Sequence, residues 1–81
     1  MPVVLRVGGF AIGFFSDEHD PPHLHVRYAG KKCRIVLSTL VLSNSTMNRS
    51  EEAAAMRIVV ANREALEAAW AAFHKKKGGE G

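Results

Sequence analysis

The sequence predicts an α+β fold: a small antiparallel sheet of about four strands, then one long C-terminal helix packed on one face of it. Three observations carry that expectation. The first half alternates apolar and polar residues with the two-residue period of a strand. Short glycine-containing breaks separate the alternating runs, as hairpins require. The last third spaces its apolar residues at steps of four and three, the helical period.

Taken in order, Val3-Val4-Leu5-Arg6-Val7 reads as a strand, Gly8-Gly9 as a two-residue turn and Phe10 to Phe15 as the returning strand. Ser16 to Pro22 (SDEHDPP) is a loop, because Ser and Asp side chains make local turns and proline lacks an amide donor. His23 to Tyr28 forms a third strand and Lys32 to Leu37 a fourth, joined through Ala29-Gly30-Lys31. Ser38 to Met47 is the least legible stretch; Leu40-Val41-Leu42 reads as a short strand or as a packed connector.

The helix begins at Asn48, with Glu51 at capping-box spacing, or at Ser50. Glu51 and Glu52 in its first turn and His74 to Lys77 in its last both suit the helix dipole. Gly78 and Gly79 stop it. Its apolar stripe is Ala55, Val59, Asn62, Leu66, Ala69 and Phe73, flanked by Met56 and Trp70. Asn62 is a polar residue in an apolar seam, expected to hydrogen-bond to a loop backbone.

At 81 residues the chain has room for one domain with one modest core, assigned to residues 1–77, with 78–81 a disordered tail. Hydrophobic content of 47% sets the body of the chain apart from disordered sequences. A deep cofactor cleft does not fit in so short a chain, and no cofactor is expected. The net charge of +3 and pI near 9.4 permit nucleic-acid or phosphate binding without demanding it. Cys33 is the single cysteine, so an intramolecular disulfide and a cysteine-based zinc site are excluded, and a free thiol suits a reducing cytoplasm. Arg6 and two glycines stand where a secretory signal would need an apolar run, and no stretch is long enough for a membrane span. The expected location is cytoplasmic.

Strand alternation divides the sheet into two faces. Leu24, Val26 and Tyr28 oppose His23, His25 and Arg27; Cys33, Ile35 and Leu37 oppose Lys32, Arg34 and Val36; Val3, Leu5 and Val7 oppose Val4 and Arg6. The apolar face takes the helix. The other carries Arg6, His23, His25, Arg27, Lys32 and Arg34, with no acid among them, and is expected to be mostly exposed.

His19, His23 and His25 follow H-x-x-x-H-x-H spacing, with Asp17, Glu18 and Asp20 in the same loop. Three readings compete. A metal could use the His-x-His pair, which a strand places on one side, but Arg27, Lys31 and Lys32 follow where a further ligand would be needed, and no metal is expected. Metal-independent RNA cleavage could use His23 and His25 as base and acid, with Arg27 or Arg34 stabilising the phosphorane. The third reading is a binding surface without chemistry, facing a protein partner or a phosphate-rich ligand such as nucleic acid, with no membrane contact. Trp70 and Cys33 read as core residues, and Lys75 to Lys77 as a solvated end.

Met1-Pro2-x-Val4-x-Arg6, an aromatic strand, and Asp17-x-x-x-Pro21-Pro22-His23-x-His25-Val26 resemble the small bacterial proteins known as domain of unknown function 4160. In the second half IVVANREALEAAW, with Asn62 and Trp70, is similar to that family's helix. The resemblance covers roughly residues 1–37 and 56–74; residues 38–55 depart from it in lacking the more charged connector of relatives. It implies a component of a toxin–antitoxin-like or mobile-element module, encoded beside another small protein. A short inhibitor of host nucleic-acid machinery, such as an anti-CRISPR protein, would suit that origin. The expectation is therefore a non-catalytic interaction or regulatory protein, with a ribonuclease-type toxin as the alternative.

Overall fold

Two-residue turns set the order of the sheet. Gly8 and Gly9 hold positive φ of 53° and 84°, the mirror-image turn whose twist matches a hairpin, and join β1 (Val3–Val7) to β2 (Phe10–Gly13). Ala29 and Gly30, at φ 50° and 80°, do the same between β3 (His23–Tyr28) and β4 (Lys31–Val36). A fifth strand, β5 (Leu42–Ser43), pairs with β4, and the helical part follows as α1 (Arg49–Ala61) and α2 (Arg63–Gly78). This computed structural model describes residues 2–14 and 22–78, with side chains through Phe73. The sheet is an antiparallel meander in the order β1-β2-β3-β4-β5.

The core lies between the sheet and the helices. Ile12, Phe14, Leu24, Val26, Ile35 and Leu37 are fully or almost fully buried against Ala55, Val59, Leu66 and Trp70. Met47 is buried with them and anchors the connector that leads into α1. Phe14 meets Trp70 and Phe73 edge-on, at ring-centroid distances of 5.1 and 5.4 Å. This aromatic cluster fastens α2 to the end of β2. At the other end of the sheet, Lys31 reaches the start of α1, where its ammonium lies 2.9 and 3.1 Å from the two Glu51 carboxylate oxygens. Asn48 and Glu51 complete a reciprocal capping box. The Asn48 amide, and then Lys31, hold the Glu51 carboxyl below its ordinary range.

Several details differ from the sequence expectation. Among the described residues there are five strands, not about four. The fifth exists because the chain reverses within Leu37–Val41: Leu40 adopts positive φ (60°) and donates to the Val36 carbonyl, and Val36 donates to Val41. The second strand ends at Gly13, not at Phe15, although Phe14 is still buried. The fourth begins at Lys31, so the turn is Ala29-Gly30 alone.

The single long helix is two helices meeting at Asn62. The Asn62 amide is shared between the Ile58 and Val59 carbonyls at 3.1 and 3.2 Å, and its side-chain nitrogen donates to Ile58 at 2.8 Å. The bond therefore goes back to its own helix, not to a loop. Side-chain back-bonding of this kind bends helices, and Asn62 leaves helical geometry at φ −116°, ψ 20°. Arg63 then holds the start of α2, donating to the Ser38 carbonyl at 2.9 Å. The break shifts the buried stripe, which runs Ala55, Val59, Leu66, Trp70; Ala69 and Phe73 are only partly buried.

β1 does not contribute an apolar face as read from alternation. It is an edge strand beyond the cover of the helices, its register slips by a bulge between Val3 and Leu5, and Val3 and Val7 are exposed. Only Leu5 packs against the core. The helix runs through Gly78, while the tail 79–81 and the loop around Asp17, Glu18, His19 and Asp20 lie outside the described residues. Among the described residues no helix is long and apolar enough to cross a membrane.

Candidate functional site

Cross-strand pairing fixes which side chains share the face away from the helices. Arg6 stands opposite Ala11, Ala11 opposite Arg27, and Arg27 opposite Lys32, so one rung runs across four strands. Directly opposed residues in a sheet point to the same side. The next rung is Gly13, His25, Arg34 and Ser43. His23 follows opposite Val36. The basic residues thus occupy two adjacent rungs, with small residues, Ala11 and Gly13, leaving the β2 positions low.

Exposure is uneven on this face. Arg6, Arg27 and Lys32 are exposed, whereas His23, His25 and Arg34 are half-buried instead of open. The reason differs for each. Arg34 lies between His25 and Ser43 on its neighbouring strands. His23 sits at the start of β3, where α2 reaches the sheet, and its ring centroid is 6.4 Å from that of Trp70. The His23 and His25 rings meet edge-to-face at a centroid distance of 5.5 Å.

The electrostatics are one-sided. Among the described residues the carboxylates are Glu51, Glu52, Glu64 and Glu67, all on the helices. Arg6, Arg27, Lys32 and Arg34 have no ion-pair partner among the described residues. Arg27 and Lys32 are like charges placed directly opposite each other, an arrangement that destabilises an isolated sheet. The Arg34 Nε–H is buried and has no hydrogen-bond partner among the described residues. A buried donor left unmet costs about 1–3 kcal/mol, more when charged, and arginine cannot escape by losing its proton.

Among the described residues two hollows border this face. One of about 130 Å³ is lined by His25, Arg27, Lys32, Arg34 and Asn44. The other, of about 330 Å³, adjoins it across Arg27 and Lys32 and extends past Ala11 to the Ala29-Gly30 turn and Thr46. Thr46 is held by Lys32: the Lys32 amide donates to the Thr46 hydroxyl at 2.9 Å, and the Thr46 amide to the Lys32 carbonyl at 2.8 Å.

Asn44 is a site residue that pattern reading missed. It takes positive φ of 52°, which asparagine tolerates better than most residues, and sits in the connector. Lys31 has the opposite fate: although beside Lys32 in sequence, it points to the helix side and is spent on Glu51.

No three His, Cys, Asp or Glu residues gather among the described residues; His19 and the loop acids lie outside them. Cys33 is buried, and burial, with Glu52 adding to it, pushes its thiol up to about 11. A thiol so placed is a packing group, not a nucleophile.

A family model described as Domain of unknown function (DUF4160) matches residues 9–71, which include most of the sheet, the connector and both helices up to Trp70 and Ala71. No curated protein and no solved structure matches the chain.

Proposed function

The chain belongs to the DUF4160 family, and from that premise we propose that it is a small non-catalytic interaction protein whose recognition surface is the basic sheet face. Its place would be as a regulatory component of a toxin–antitoxin-like or mobile-element module in the cytoplasm, with inhibition of host nucleic-acid machinery, in the manner of an anti-CRISPR protein, as one such role. The observation that carries this reading is the charge of Arg6, Arg27, Lys32 and Arg34 across adjacent rungs of one face, uncompensated among the described residues. Such a surface attracts an anionic partner and speeds its encounter.

The contact between His23 and His25 supports binding over catalysis. Cleavage by two imidazoles in line needs one to take the attacking proton and the other to protonate the leaving oxygen on opposite sides of a phosphorus. The two rings stand in edge-to-face contact, so a phosphate between them would require one ring to turn away. His25 still borders the cationic hollow and can act there as a hydrogen-bonding wall.

The test is expression of the wild type beside His23→Ala/His25→Ala. The expected result is equal growth and intact cellular RNA for both. Degraded RNA with the wild type and intact RNA with the double variant would overturn the binding reading in favour of a ribonuclease-type toxin.

A further inference from the structure

We propose that the hollow around Arg34 is an oxyanion site that seats a backbone phosphate of a nucleic acid; this rests on the basic face being the recognition surface. Three cationic residues, Arg27, Lys32 and Arg34, line a space of about 130 Å³, with Asn44 adding neutral hydrogen-bonding groups and His25 bordering one side. No carboxylate of the described residues lies on the sheet to compete for them.

The chemistry of the lining suits a phosphoryl group. A phosphodiester carries one charge over two non-bridging oxygens, stays ionised, and is recognised by the planar arginine fork. A carboxylate presents a similar pair of oxygens, so what favours a nucleic acid is the regular succession of such groups along its backbone. Arg34 brings an unmet donor to this lining: its Nε–H has no partner among the described residues, and no ion pair holds its guanidinium there.

A chain of phosphates, not one, fits what lies beside the hollow. Arg27 and Lys32 border both hollows, and the rung continues over low Ala11 to Arg6 on the edge strand. Strands lie about 4.7–4.9 Å apart, so the cations of this rung are spread over three strand spacings across the sheet. A polyanion crossing the strands meets them in succession, whereas a lone phosphate uses only the hollow. Each contact releases a counterion, so binding falls as salt rises.

The test follows the arginine Nε–H resonances of the ¹⁵N-labelled full chain by NMR during titration with three probes: inorganic phosphate, a single-stranded oligothymidylate of about eight nucleotides, long enough for the several phosphates the rung would contact, and an oligoglutamate peptide. The expected result is a saturable shift of the Arg34 signal with oligothymidylate, at concentrations at least about tenfold below those inorganic phosphate needs. Arg34→Gln should weaken oligothymidylate binding about tenfold or more, the loss of one charge-assisted fork, with its backbone spectrum unchanged. Shift by oligoglutamate alone, shift by phosphate with none by oligothymidylate, or unchanged binding by Arg34→Gln would each overturn the proposal. If these fail while the chain still retains a host partner through the same face, the phosphate site falls and the interaction reading stands.

Discussion

Phe14→Ala is expected to lower the stability of the chain by about 3–5 kcal/mol, the cost of deleting a buried aromatic ring and leaving a cavity. Phe14 is completely buried, and among the described residues its edge-on contacts are to α2, through Trp70 and Phe73. The loss therefore falls on the joint between sheet and helix. For a domain of this size each kcal/mol lowers Tm by roughly 4–8 °C, so thermal unfolding by circular dichroism reads the effect directly. Hydrogen exchange should show α2 released before β3 and β4. Val41→Ala serves as the control: its side chain is 55% exposed, and surface changes stay within about 0.5 kcal/mol. A Phe14→Ala protein as stable as this control would mean that α2 is not fastened to the sheet by the aromatic cluster.

Gly13→Ala is expected to cost about 1–3 kcal/mol by overpacking, and to act on the opposite side of the sheet. Gly13 ends β2 and pairs with both Val3 and His25. A methyl group there would run into the Pro2 carbonyl, which is backbone and cannot swing aside as a long side chain would. The chain must then lift β1 at its beginning. Faster hydrogen exchange confined to β1 would identify that cause, and unchanged exchange there would contradict it. Since β1 carries Arg6, the substitution also displaces one end of the cationic rung without altering a charge.

The parts of the fold that could be read in the sequence are those whose two faces meet different surroundings. In β3 and β4 the buried residues stand two apart, so alternation separates Leu24, Val26, Cys33 and Ile35 from His25, Arg27, Lys32 and Arg34. The same reasoning fails for β1, because an edge strand outside the cover of the helices has no dry side to mark. The helix break was hidden for another reason. Asn62 lacks the covalent signal of proline or glycine, and a helical bond from the Leu66 amide to its carbonyl still spans the break. What bends the chain is a side-chain bond to Ile58, visible only in three dimensions.

The site divides in the same way. That His25, Arg27, Lys32 and Arg34 share a face follows from alternation, but the pairing of Arg27 with Lys32 and of His25 with Arg34 needs the two-residue turn at Ala29-Gly30, where the sequence suggests a connection through Lys31. The approach of Trp70 to His23, which half-closes that end of the face, depends on where the bent helix ends. The place of Asn44 depends on two left-handed residues, Leu40 and Asn44 itself, in a connector with no pattern to read.

The central claim, that the basic sheet face is what this chain uses to bind, is tested most directly by charge reversal. Wild type and Arg27→Glu/Arg34→Glu, each immobilised, would be exposed to extract of the native host, and the retained partner quantified as salt is raised. Arg27 is exposed and Arg34 is half-buried on the same face, so a thermal unfolding transition is recorded for the double variant to establish that it is folded before retention is compared. The account predicts a stoichiometric partner on the wild type that is shed as salt screens or displaces the contacts, and none on the double variant. Equal retention of the same partner by the two proteins at every salt concentration would contradict it.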